Sequence, residues 1–285
     1  MSQIRIHKMH GAGNKILVAD LRGVDWRPSA DWARALHRDG DFAFDQLMTL
    51  EPSERRDVAA DVDIFNNDGS RARACGNGTR CVADVLLRET GGESLVVATR
   101  AADILCERLS EGAYRVDMGA PAFAPSDIPI SLDVPDTAHV ALARTDGRDD
   151  GLGEAALASM GNPHAVFFVP DLAAIDIAAI GPAYENHPIF PDRANISFVQ
   201  VKARDALLLK VWERGAGATL ACGSGACATL VSAVRRGLAD RKANVKMPGG
   251  VLTIEWRESD DHVLLSGPVE YERTALLAVG ERASA

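Results

Sequence analysis

One supersecondary pattern occurs twice in this chain, and a duplication on that scale leaves few architectures open to it. The first copy reads Ala74-Cys75-Gly76-Asn77-Gly78, and the second, 147 residues further on, reads Ala221-Cys222-Gly223-Ser224-Gly225. The correspondence extends outward in both directions. Phe65-Asn66 precedes the first cysteine as Trp212-Glu213 precedes the second, and Val116 and Pro121 correspond to Val263 and Pro268. Far upstream, Gly13-Asn14 corresponds to Gly161-Asn162 at an interval of 148, each pair followed by an apolar, strand-like run. The chain reads as one unit used twice, with one thiol per copy in the same local setting.

Each half has the same order of elements. Strand-like runs come first: Ile4–Ile6 and Ile16–Ala19 in one half, Ala165–Val169 and Ile196–Val201 in the other. A strand then leads into each cysteine motif, Val62–Phe65 and Leu207–Trp212. After the glycine-rich turn, Thr79–Arg88 and Ala226–Arg236 carry apolar residues at helical spacing. Short strands close each half: Ser94–Thr99, Ile104–Leu109 and Tyr114–Met118, then Ala243–Met247, Val251–Trp256 and His262–Leu265. Further helices are expected only at Ala30–Arg38 and Leu172–Ile180. The expected fold class is α+β, with two pseudo-symmetric lobes, each a mostly antiparallel sheet or barrel around a central helix. Glycine and proline between Met118 and Ser126 mark the change from one lobe to the next.

At 285 residues, about two domains are expected from length alone. A net charge of −9 argues against nucleic acid, which demands a basic face. No apolar run approaches the ~20 residues that span a bilayer, and the start lacks the apolar core of a secretory signal, so a cytoplasmic protein is expected. Five cysteines are an odd number for a disulfide framework. Five residues separate Cys75 from Cys81 and four separate Cys222 from Cys227, unlike the short knuckles of structural zinc sites, so no metal is expected.

A cysteine at a helix N-terminus sits among unpaired N–H groups at the positive end of the dipole. That setting lowers a thiol pKa and predicts an accessible thiolate near neutral pH. The same N–H groups bind a carboxylate. Two such thiols on opposite sides of one carbon suit racemisation or epimerisation: one removes a proton, and the other returns one to the opposite face. The competing reading is plain packing, since cysteine is a frequently buried residue and Cys-Gly-x-Gly suits a tight strand–helix junction. Two copies with polar residues in register favour chemistry. Cys81, Cys106 and Cys227 read as core.

With these motifs the sequence resembles diaminopimelate epimerases, which interconvert LL- and meso-2,6-diaminopimelate without pyridoxal phosphate, for lysine and peptidoglycan synthesis. The resemblance covers essentially the whole chain. It implies two pseudo-symmetric lobes, 1–119 with 268–285 carrying Cys75 and 120–267 carrying Cys222, a C-terminal strand returning to the first lobe, a homodimer, and no cofactor. It also implies that Cys75 and Cys222 are the acid/base pair, assisted by His164 and Glu213. Substrate contacts implied by the resemblance come from Asn14 of His10-Gly11-Ala12-Gly13-Asn14, from Gln46, and from Asn66 of Phe65-Asn66-Asn67-Asp68-Gly69. Gly76 and Asn77, with Gly223 and Ser224, would grip the reacting carboxylate through their N–H groups. Asn162, Asn195 and Arg214 complete the set, Arg214 pairing with the distal carboxylate.

Local departures from the family pattern are Lys15-Ile16 after Asn14, Asp41-Phe42-Ala43-Phe44 before Gln46, Gly217-Ala218-Thr219, and Ser224 where threonine is usual. Two other readings stand beside epimerisation. One is a racemase or isomerase of another amino acid on the same fold. The other is a thiol-based redox protein, which would leave a substrate's α-proton in place.

Overall fold

The sequence's apolar runs and turns define the elements of the computed structural model, which describes residues 2–145, 147–148 and 151–280. In chain order these are β1 (Ser2–Gly11), β2 (Asn14–Asp20), α1 (Ala30–Arg38), β3 (Gln46–Glu51), β4 (Ala60–Asn66), β5 (Arg71–Ala72), α2 (Gly76–Thr90), β6 (Ser94–Thr99), β7 (Asp103–Ser110) and β8 (Ala113–Asp117). There follow β9 (Val140–Ala141), β10 (Glu154–Ser159), β11 (Pro163–Phe168), α3 (Ile177–Glu185), β12 (Asn195–Ala203), β13 (Ala206–Glu213) and β14 (Gly217–Thr219). The chain ends with α4 (Gly223–Arg235), β15 (Lys242–Met247), β16 (Gly250–Trp256), β17 (Val263–Pro268) and β18 (Glu270–Val279). Two compact units result, Met1–Asp117 with Ser266–Ala285, and Met118–Leu265. Met1, Asp146, Asp149, Asp150 and residues 281–285, which the expected lobe boundaries include, lie outside the described residues.

In the first unit β1 pairs antiparallel with both β2 and the C-terminal β18. Then β2 runs parallel to β3, β3 antiparallel to β4, β4 antiparallel to β5 and parallel to β6, and β6, β7 and β8 form an antiparallel series. The second unit repeats that order. β10 pairs antiparallel with β11, β11 parallel with β12, β12 antiparallel with β13, β13 antiparallel with β14 and parallel with β15, and β15 antiparallel with β16. The architecture is α+β, as the sequence predicts, with two parallel pairs in each unit at matching places among the antiparallel ones.

A single helix fills each sheet. α2 packs against β1, β2, β3, β6, β7 and β8, and every residue from Gly76 to Leu87 is buried. α4 packs against β10, β11, β12, β13, β15 and β16. A helix enclosed on all sides must be apolar or have its polar groups satisfied. Val82, Val85, Leu86 and Leu87 supply the apolar part, each contributing about 1.5–3 kcal/mol by burial. Asp84 is accommodated because its Oδ1 accepts from Tyr114 Oη at 2.7 Å and Arg88 Nε at 2.8 Å. Gly91, at φ 68°, ends α2 in the left-handed conformation, its N–H bonding back to the Leu87 carbonyl.

One sequence expectation needs correction. The helix anticipated at Leu172–Ile180 runs instead over Ile177–Glu185. Asp176 fixes its start, its side chain accepting from the N–H groups of Ala178 and Ala179. Leu172 and Ile175 are held outside it by Lys210 Nζ, which donates to both carbonyls at 3.0 and 3.2 Å. Strands β3 and β10 give no alternating signal because their interior residues are buried on both faces.

Candidate active site

Each conspicuous cysteine is the N-cap of its unit's central helix. Cys75 has φ −152° and its Sγ accepts from Gly78 N at 3.2 Å; Cys222 has φ −131° and its Sγ accepts from Gly225 N at 3.4 Å. Sulfur thus takes the place that a serine or aspartate oxygen holds at an ordinary cap. Both thiols are mostly buried, 9% and 5% exposed.

In the first unit, strand register brings the neighbours to Cys75. Gln46 opens β3 and faces Asn66, the last residue of β4. Cys75 Sγ donates to Gln46 Oε1 at 2.5 Å, and Gln46 Nε2 donates to Asn66 Oδ1 at 3.3 Å. Asn66 Nδ2 in turn donates to Ser70 Oγ at 3.0 Å. Asn77 is buried in the first turn of α2, where its Oδ1 accepts from Arg80. The tip of the β1–β2 hairpin lies against it: a Cβ on Gly11 would stand 3.0 Å from the Asn77 carbonyl oxygen. Asn14 leaves that hairpin with its buried Oδ1 unpartnered. The structure therefore joins Cys75, Gln46 and Asn66 directly and sets Gly76 and Asn77 at the same helix start. It shows no side-chain hydrogen bond from Asn14 to them.

In the second unit the connections are more extensive. The negative charge of Glu213 acts on the Cys222 thiol, whose Sγ lies 3.6 Å from Ser224 Oγ. Ser224 Oγ accepts from Asn162 Nδ2 at 3.4 Å, and Asn162 Oδ1 lies 2.9 Å from His164 Nε2. His164 pairs in register with Asn195 across the parallel β11–β12 ladder. Asn195 Nδ2 donates to the Pro163 carbonyl at 3.0 Å, and its Oδ1 accepts from Arg214 N at 3.0 Å. Arg214 itself is exposed, one guanidinium nitrogen donating to the Asp192 carbonyl. Every site residue expected in this half belongs to one hydrogen-bonded neighbourhood or to the helix start beside it.

The duplication has a consequence for register. Leu47 pairs with Phe65 as Ile196 pairs with Trp212, so Gln46 and Asn195 hold equivalent places one residue upstream. Asn66 and Glu213 are equivalent in the same way, each closing the strand before its cysteine. One copy carries an amide where the other carries a carboxylate.

Charge in the second unit corrects one expectation. The helix N-terminus does not make Cys222 acidic: burial pushes its thiol well above the ordinary range, and the negative charge of Glu213 pushes it further. Cys222 is held as a thiol. Burial, with the charge of Arg214 acting in the same direction, holds His164 down to about 3, so its imidazole is neutral. Since Nε2 faces the Asn162 oxygen, Nδ1 presents a buried, unpartnered lone pair. Elsewhere burial raises the Cys81 thiol strongly and the Cys106 thiol to about 12, in keeping with core roles. Among the described residues, no group of three or more His, Cys, Asp or Glu could hold a metal, and no helix is long and apolar enough to cross a membrane.

Sequence reasoning misses three contributors. Thr219 Oγ1 donates to Glu213 Oε1 at 2.5 Å, a contact signalled only by the Val211–Thr219 pairing of β13 with β14. Arg80, wholly buried in α2, holds Asn77. Glu185, at the end of a proline-containing helix with no clear apolar period, is buried against the Glu213–Gly215 segment.

Comparison with known proteins follows the same two-part organisation. The family described as diaminopimelate epimerase matches residues 6–124 and 156–272. A diaminopimelate epimerase of Methylocella silvestris is 51% identical over 93% of this chain and 91% of its own length. One from Nitrobacter hamburgensis is 48% identical, over 93% and 92%. Among solved structures, a PhzF-family phenazine biosynthesis protein from Bacillus anthracis superposes with a TM-score of 0.68 at 15% identity, covering 98% of this chain and all of its own. A hydroxyproline epimerase from Agrobacterium vitis, with bound trans-4-hydroxy-L-proline, gives 0.66 at 15% identity, over 97% and 93%. These two share the fold.

Proposed function

The chain belongs to the diaminopimelate epimerase family and is an isomerase that interconverts LL- and meso-2,6-diaminopimelate, and we propose that it does so without pyridoxal phosphate, by passing protons through Cys75 and Cys222. The observation carrying this reading is the equivalence of the two settings: each cysteine caps the central helix of its unit and accepts an N–H from the third residue beyond it. Two bases with matching surroundings suit a carbon that must be approached from both faces.

Cys222, kept protonated by burial and by Glu213, enters as the acid. Cys75 acts as the base, and the roles reverse for the return reaction. The N–H groups of Gly76, Asn77, Gly223 and Ser224 bind the reacting carboxylate and stabilise negative charge as the α-proton leaves. The bare Nδ1 of neutral His164 accepts from the reacting ammonium. Arg214 pairs with the distal carboxylate, and the amides of Asn14, Gln46, Asn66, Asn162 and Asn195 hold the two zwitterionic ends. We further infer a cytoplasmic homodimer, acting in lysine biosynthesis.

The test is incubation of the isolated protein with LL-diaminopimelate in D₂O, without added pyridoxal phosphate. Appearance of the meso isomer with deuterium at the inverted α-carbon is expected. A product without solvent deuterium would exclude proton transfer through exchangeable thiols, and no reaction would favour the redox reading.

A further inference from the structure

Glu185 carries three hydrogen bonds on one buried carboxylate, and all three come from around the segment that bears Arg214. Its Oε2 accepts from Trp212 Nε1 at 2.7 Å; its Oε1 accepts from Gly215 N at 2.8 Å and from Arg193 Nη1 at 3.0 Å. The residue is only 6% exposed. Trp212 and Gly215 bracket Glu213 and Arg214 in the chain, so one carboxylate pins both ends of a four-residue segment. The opposite edge is held by Asn195, whose Oδ1 accepts from Arg214 N.

The local backbone needs such a brace. Gly215 turns at φ 77°, and Arg193 adopts φ 59°, a left-handed conformation that L side chains rarely take. The ion pair to Glu185 offsets that strain, and the Ala194 N–H bonds to the Glu185 carbonyl beside it. Gly181, one turn earlier on α3, leaves room for the Trp212 ring: a Cβ there would meet the ring at 2.5 Å. Only a carboxylate of this length serves. Glutamine would turn an NH₂ toward one of three donors, and aspartate falls short by a methylene.

We propose that Glu185 is a positioning residue for the epimerisation, holding Arg214 in place for the substrate's distal carboxylate; this rests on the functional reading given above. Because Arg214 grips an end of the substrate that does not react, its displacement weakens ground state and transition state alike. The effect therefore belongs in KM.

The test uses Glu185→Ala in the full chain, which removes both acceptor oxygens, assayed beside the wild type for kcat and KM with LL-diaminopimelate and for amide hydrogen exchange at Gly215. Expected are a KM raised about tenfold with kcat within about threefold, and Gly215 exchange accelerated about tenfold or more as its acceptor is lost. In an Arg214→Ala background the same substitution should change KM by less than about twofold, since no guanidinium remains to be positioned. A purely structural role would give the same loss in both backgrounds, and that result, or an unchanged Gly215 exchange, would overturn the proposal. If Glu185→Ala does not fold, Arg193→Gln, which removes only the half-exposed partner, should raise KM in the same direction; an unchanged KM there would overturn it. An inactive wild type would instead overturn the functional reading, and Gly215 exchange would still decide whether Glu185 braces the turn.

Discussion

Cys75 and Gln46 are in direct contact, the thiol donating to the side-chain oxygen of Gln46, and that contact depends on the register of three strands. Gln46 is set by the parallel pairing of β3 with β2, Ile16 beside Gln46, and by the antiparallel pairing that puts Asn66 opposite it. A slip of one residue would send Gln46 to the other face of the sheet.

Gln46→Ala removes a side chain hydrogen-bonded to this sulfur while leaving the ladder intact. A neutral hydrogen bond of this kind is worth about 0.5–1.5 kcal/mol, so kcat/KM should fall about 2- to 10-fold. Steady-state kinetics with an unchanged melting temperature would confirm it. An unaffected kcat/KM would mean the amide takes no part.

His164 makes stability depend on pH. Its folded-state pKa is about 3, whereas an unfolded chain takes up the proton below about 6.5. Between those values the unfolded state binds the extra proton, so stability falls as pH is lowered through that window and is unaffected above it. The slope is about 1.4 kcal/mol per pH unit. The stability of wild type relative to His164→Gln, from urea titrations, should therefore drop by about 2 kcal/mol between pH 7 and pH 5. A difference that does not change with pH would contradict a buried neutral imidazole.

Gly69 closes the turn after Asn66 at φ 80°, where a Cβ would stand 2.5 Å from the backbone oxygen of Ala30. Backbone cannot yield as a side-chain tip can. Gly69→Ala should cost about 2 kcal/mol or more through the positive φ and the overlap together. Thermal or urea unfolding checks this; a variant as stable as wild type would show that α1 moves aside freely.

Much of the fold was legible because the duplication could be read twice. The strands that enter the cysteine motifs, α1, and both central helices follow from periodicity and glycine placement. β3 and β10 escape because strands buried on both faces lose alternation, and α3 is displaced because Asp176 and Lys210, rather than apolar spacing, decide where it starts. In the site, the cysteines, Glu213 and the asparagines are marked by their place next to repeated motifs. Glu185 and Thr219 are not, since what makes them matter is who donates to them or accepts from them after folding. The acidity of Cys222 departs from the sequence expectation for a related reason: a helix start is visible in sequence, whereas burial beside Glu213 is not.

The five thiols should differ in reactivity in the order their surroundings dictate. Alkylation needs thiolate, so a raised pKa slows it. Cys81 and Cys106, pushed up by burial, should remain unlabelled by iodoacetamide at pH 8 in the folded protein. Peptide mass spectrometry should find Cys222 labelled only slowly, since burial and Glu213 raise its thiol. Labelling of Cys106 first would contradict the burial found here.

Proton transfer through two cysteines makes each thiol indispensable, and turnover by single-cysteine variants measures that most directly. Cys75→Ala and Cys222→Ala, each checked for an intact fold, should lose epimerisation of LL-diaminopimelate by about 100-fold at the least, the scale of a lost general acid or base. Cys81→Ala, removing a core thiol of the same chain, should keep kcat within a few-fold. Wild-type turnover by either of the first two variants would contradict proton transfer through a pair of cysteines.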